Sequence, residues 1–87
     1  MGKYYLKGLE ITEDNFRVIV TGDDYQGNDF GGVFPKEMIK DGKLEVTFLQ
    51  DEHIGNGCFP KVKPVKGFFE SKREVLVRLD DVERRVI

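Results

Sequence analysis

The chain has 87 residues, of which 39% are apolar and 34% charged, with a net charge of −2. This length suits one small β-rich domain over residues 1–87, and this balance excludes a disordered tail. The lack of any apolar run near 20 residues excludes a helical membrane span, and the single cysteine excludes an internal disulfide and a multi-thiolate metal centre.

A lone thiol, Cys58, fits a reducing compartment, and the N-terminus lacks the hydrophobic region of a signal peptide. The expected setting is therefore cytoplasmic, with no membrane association. Residues 1–56 carry six basic and eleven acidic side chains, while residues 57–87 carry eight basic and five acidic ones. Such polarity could steer a charged partner, or the two halves could neutralise each other across the fold.

Period-2 patterning dominates, which predicts strands. Tyr5, Leu9 and Ile11 share one parity of a first strand interrupted by Lys7. Phe16, Val18 and Val20 alternate in a second, with Thr12-Glu13-Asp14-Asn15 as the turn of a hairpin. Gly22 to Gly32 reads as the longest flexible stretch, rich in glycine and aspartate. It lacks the Gly-Lys-Ser/Thr ending of a phosphate cradle and the ligand spacing of an EF-hand. It reads as a surface loop or as a partner-binding loop, with Asp23, Asp24, Tyr25 and Phe30 as contacts.

One short helix is expected near residues 35–41, entered at Pro35 and left at Gly42. Leu44, Val46 and Phe48 then alternate with polar residues, as on a strand with one wet face. Asp51-Glu52-His53 reads as solvated turn. His53 and Cys58 invite a thiolate–imidazole reading with Asp51 or Glu52 as orienting acid, but no further signature supports catalysis or a metal. No cofactor is implied, and the chain is expected not to be an enzyme.

The segment Phe59-Pro60-Lys61-Val62-Lys63-Pro64-Val65-Lys66-Gly67-Phe68-Phe69, followed by Lys72-Arg73, interleaves cations with aromatic rings. That pattern suits a single-stranded nucleic-acid platform. It equally suits a sheet edge guarded by Lys and Pro against aggregation. Adjacent strand residues point to opposite faces, so one of Phe68 and Phe69 should be buried and the other exposed. Val75, Val77 and Leu79 continue the alternation, and Glu83 to Ile87 forms a last strand. Gly32-Val33-Phe34-Pro35-Lys36 echoes Gly57-Cys58-Phe59-Pro60-Lys61 at four of five places; with only two copies it reads as two similar loop-to-strand corners.

The expected architecture is mostly β, either all-β or α+β: a small antiparallel barrel or strongly bent sheet of five to seven short strands and one short helix. An OB-like order is one candidate and an SH3-like barrel another. The expected function is a non-catalytic binding protein, foremost a small inhibitor or regulator docking on a protein partner. The alternative is an OB-like module binding single-stranded nucleic acid through residues 59–73. Candidate contacts are Tyr25, Phe30, Asp23 and Asp24, then Phe59, Lys61, Lys63 and Lys66, and finally Phe68, Phe69, Lys72 and Arg73. A homo-oligomer is compatible with the same surfaces.

Overall fold

A computed structural model describes residues 2–70 and 72–86. The strands are β1 (Gly2–Leu6), β2 (Glu10–Glu13), β3 (Arg17–Asp23), β4 (Asp29–Pro35), β5 (Ile39–Lys40), β6 (Lys43–Ile54), β7 (Gly57–Pro64), β8 (Val75–Leu76) and β9 (Val82–Val86). They form two antiparallel sheets. The larger has the order β8-β7-β6-β1-β9 with β5 also paired to β6, and the smaller has the order β2-β3-β4. The sheets pack tightly but do not close into a barrel.

The expected helix reduces to a single 3-10 turn, Lys36–Met38, which receives no side-chain N-cap. Phe34 and Pro35, the residues before it, finish β4 instead. A second 3-10 turn, Leu79–Asp81, leads into β9. The three-strand, helix, two-strand order is therefore not followed.

The expected first strand is two strands in different sheets. Gly8, with φ 75°, turns the chain between them, a conformation glycine adopts without steric cost. The β2–β3 hairpin does form, and Asp14 explains why. Its Oδ1 accepts the N–H groups of Phe16 and Arg17, each at 2.9 Å, and its Oδ2 accepts Arg17 Nε at 3.0 Å. The Phe16 N–H, followed by the Arg17 side chain and N–H, lowers the Asp14 pKa to about 2. Phe16 belongs to this turn rather than to β3, and its ring is 85% exposed.

Gly22–Gly32 is not a flexible loop. Its ends are strand: Gly22 pairs with Phe30 and Asp23 with Asp29 across β3 and β4. Several of its glycines serve close packing rather than mobility. A Cβ on Gly22 would lie 2.5 Å from Leu9 Cδ2, and one on Gly31 would lie 2.7 Å from the Val20 carbonyl oxygen.

Leu6, Leu44, Val46 and Val62 from the larger sheet meet Val18, Val20, Phe30 and Phe34 from the smaller one. Met38, Phe69, Val75 and Val77 fill the remaining space of one continuous core. The outer face of the larger sheet is polar and carries several ion pairs. Lys3 bridges Glu45 at 3.6 Å and Lys43 bridges Glu83 at 3.4 Å. Arg85 reaches Glu83 at 2.7 Å and Asp41 at 2.9 Å while lying over the Tyr5 ring.

The echoed Gly-x-Phe pattern has a local physical meaning. A Cβ on Gly32 would lie 2.8 Å from the tip of the Phe34 ring, and one on Gly57 would lie 2.6 Å from that of Phe59. In each copy the ring folds back over the glycine two residues earlier, on the same strand face. The Pro-Lys parts diverge: Pro35 ends β4, whereas Pro60 and Lys61 continue inside β7. Gly32→Ala should destabilise by about 1–3 kcal/mol, because the Phe34 ring above it is locked in the core. Gly57→Ala should cost less, since the half-buried Phe59 ring can move aside. Equal shifts in denaturant midpoint for the two variants would contradict this packing account.

Candidate functional site

The β7–β8 loop carries Lys66, Phe68, Lys72 and Arg73, most of the candidate contacts that remain on the surface. Phe69 is 2% exposed, and its ring meets Phe30 edge-on at 5.0 Å and Phe34 at 5.8 Å. Phe68, its neighbour, is 65% exposed, with the Arg73 guanidinium 5.5 Å from the ring centre. One ring is buried and the other exposed, as expected, but the pair lies in the β7–β8 loop rather than in a strand, and only Phe69 makes a lone bridge, to Lys72. Gly67, at φ 79°, turns the chain just before them. The Glu70 N–H donates to the Gly31 carbonyl at 2.6 Å, tying the loop to β4. Phe68 is thus an apolar ring held out from an anchored loop, in a segment that also carries Lys66, Lys72 and Arg73.

Four of the expected contacts serve the fold instead. Phe30 and Phe69 are core residues, and Asp24 is 5% exposed. Asp24 Oδ1 accepts the N–H groups of Gln26 at 2.8 Å and Asn28 at 2.9 Å, closing the β3–β4 turn. Its Oδ2 accepts Lys72 Nζ at 3.3 Å, so Lys72 is engaged as well. Burial pushes the Asp24 carboxyl up, but the two backbone donors and the Lys72 ammonium outweigh it and hold it below its ordinary value.

Tyr25 and Phe59 are half-buried and pack on each other, with ring centres 4.7 Å apart. The Tyr25 N–H donates to the Leu76 carbonyl at 2.9 Å, which docks this turn on β8. Lys61 pairs with Glu52 at 3.0 Å. Lys63, Lys66 and Arg73 are exposed and make no ion pair among the described residues. The basic run is therefore no continuous cationic track. Two of its charges, Lys61 and Lys72, pair with acids from the first part of the chain.

Asp23 is exposed and faces Asp29 across the hairpin. A hydrogen bond shared with the Asp29 carboxyl raises the Asp23 pKa, and desolvation adds to it. A carboxyl raised on folding stabilises the fold below its unfolded pKa and loses that contribution as pH rises through the folded value. Asp29→Asn should therefore raise the melting temperature at pH 7 and have little effect near pH 3. Melts of both proteins across that range test it, and an unchanged or lower melting temperature at pH 7 would exclude repulsion between the pair.

Asp51-Glu52-His53 is strand, not turn. The reversal comes at Gly55-Asn56, with Gly55 at φ 60°, and Ile54 faces Gly57 in a two-residue hairpin. A bulge between Phe48 and Gln50 shifts the register, so that Asp51 faces Pro60 and His53 faces Cys58. Asp51, His53 and Cys58 thereby share one face of a projecting ribbon. Burial, followed by the Asp51 carboxylate, pushes the Cys58 thiol up. A thiol held protonated is a poor nucleophile. Among the described residues, no three His, Cys, Asp or Glu side chains converge on a metal-sized site.

The contacts that sequence reading misses lie on the inner face of the larger sheet. Tyr4, Phe48, Pro60, Val82 and Leu79 line a shallow groove with Asp51 and Arg84 beside it. The alternation of β1 and β6 marks Tyr4 and Phe48 as inward-facing, but it gives no sign that the smaller sheet stops short of them. Among the described residues, no helix is long and apolar enough to cross a membrane. Compared with known proteins, the chain matches no family model, no curated protein and no solved structure.

Proposed function

We propose that this chain is a non-catalytic binding protein that docks on an acidic surface of a larger protein through the β7–β8 loop. The carrying observation is Phe68, 65% exposed beside Arg73 while its neighbour Phe69 is locked in the core. A rigidly presented aromatic ring with cations around it has the make-up of an interface anchor: the ring fills a pocket, and the cations meet a complementary rim. Lys66 and Arg73 supply that rim. The Cys58 thiol, held protonated beside Asp51, favours binding over catalysis. A half-buried lone thiol fits a cytosolic setting.

Single-stranded nucleic acid is the competing ligand, and the same loop would serve it. It is the weaker reading because Lys61 and Lys72 are already paired with carboxylates and the Phe59 ring is covered by Tyr25. The test is capture from a lysate of the native host by the whole chain, with and without nuclease. Phe68→Ala should abolish capture of a defined protein, whereas Phe16→Ala, which removes a still more exposed ring from the β2–β3 turn, should leave it intact. Nuclease-sensitive capture would transfer the site to nucleic acid. Equal capture by both variants would remove the loop from the interface.

A further inference from the structure

The inner face of the larger sheet is not covered along its whole length: Tyr4 and Phe48 on it are only half-buried. The uncovered part is a groove of about 250 Å³. Its floor is the stacked pair Tyr4 and Phe48, with ring centres 5.3 Å apart, and Pro60 and Val82 extend it. Leu79, 60% exposed on the second 3-10 turn, forms one wall. Asp51 on β6 and Arg84 on β9 contribute charges of opposite sign.

Neither of these two charges has an ion-pair partner among the described residues, and the neutral Cys58 thiol beside Asp51 leaves the charge of that carboxylate unbalanced. Among the described residues on the opposite face of the same sheet, Lys3, Lys43, Glu45, Glu83 and Arg85 are paired, while Lys63 facing Thr47 is not. Two unpaired opposite charges beside one apolar floor complement a ligand that carries both. We propose that this groove binds a small zwitterion, with its ammonium at Asp51, its carboxylate at Arg84 and its apolar middle on the Tyr4–Phe48 pair. The groove is smaller than the roughly 300–1,000 Å³ of pockets for drug-sized ligands. It suits an apolar dipeptide with free ends, whose ammonium and carboxylate lie at opposite ends of an apolar body, whereas a free α-amino acid carries both charges on one carbon.

The test is titration of the isotope-labelled whole chain with leucine, phenylalanine, leucyl-leucine and N-acetyl-leucine amide, followed by backbone amide NMR. The zwitterions should shift the signals of Tyr4, Phe48, Leu79 and Val82, and the doubly capped compound should not. Leucyl-leucine should bind more tightly than leucine or phenylalanine. Asp51→Asn and Arg84→Gln, both at exposed positions, should each weaken binding about tenfold or more, equivalent to about 1.4 kcal/mol, without changing the melting temperature. Phe68→Ala should leave this binding unchanged, which separates the groove from the β7–β8 loop. Three results would overturn the proposal: no shift with any zwitterion up to its solubility limit, equal shifts from the capped compound, or parent-like affinity in both charge variants.

Discussion

Phe69→Ala is expected to destabilise the fold by about 3–5 kcal/mol, whereas Phe68→Ala should cost under about 1 kcal/mol. Phe69 is 2% exposed and meets two other core rings, so its removal leaves a cavity between the sheets. Neighbouring Phe34 is held over Gly32 and cannot move far to fill it. Domains of this size have only about 5–15 kcal/mol of stability, so the loss is a large share. At roughly 4–8 °C per kcal/mol, the melting temperature should fall by more than about 12 °C. Phe68 packs on little besides Arg73, and its truncation returns an exposed ring to solvent. Urea unfolding of the two variants decides the matter. A similar midpoint shift for both would mean that the loop has no fixed inside and outside.

The two phenylalanines also show how far sequence reading carries. Alternation in a strand predicts that their side chains diverge, and they do, but in a loop outside the strands, where the turn at Gly67 and the lone Phe69–Lys72 bridge set their directions instead. The same rule makes Val18 and Val20, Leu44 and Val46, and Val75 and Val77 inward-facing, and all six are buried. It fails where a bulge or turn resets the parity. The bulge after Phe48 has no signature in the residues around it, so the facing of Asp51, His53 and Cys58 was not legible. Glycine misleads in the opposite direction. Gly22, Gly31 and Gly32 resemble a flexible loop in composition, yet each sits in a strand where a neighbouring group occupies the space of a side chain. The absence of a side chain signals either freedom or crowding, and only tertiary contacts tell the two apart.

The candidate contacts divide on the same principle. Phe68 could be placed because exposure follows from its neighbour's burial. Asp24 and Lys72 could not, because their pairing joins residues 48 apart in the chain. Within its own segment, an aspartate beside Tyr25 reads as a surface acid. In the folded chain it is the cap of a tight turn, and the cation that balances it comes from the very loop that presents Phe68.

Asp24→Ala is accordingly expected to destabilise by about 2–4 kcal/mol, the second large effect, although the residue looks like an ordinary loop acid. It removes a nearly buried acceptor of two backbone N–H bonds and the carboxylate partner of Lys72. Hydrogen bonds to a charged group contribute about 1.5–3 kcal/mol, and donors left without a partner add their desolvation cost. Asp24→Asn should be milder, because its amide oxygen can still accept from the turn while the attraction to Lys72 is lost. The pH dependence gives a separate readout. A carboxyl whose pKa is lowered on folding contributes stability above its unfolded value, near 3.9, and loses it as pH falls through the lower folded value. The parent should therefore lose its advantage over Asp24→Asn across that acid range and keep it at pH 7. Because Lys72 also lies in the β7–β8 loop, Asp24→Ala should weaken partner capture even at temperatures where the chain stays folded. An Asp24→Ala protein with parent-like stability at pH 7 would show that the β3–β4 turn is held by its strands alone.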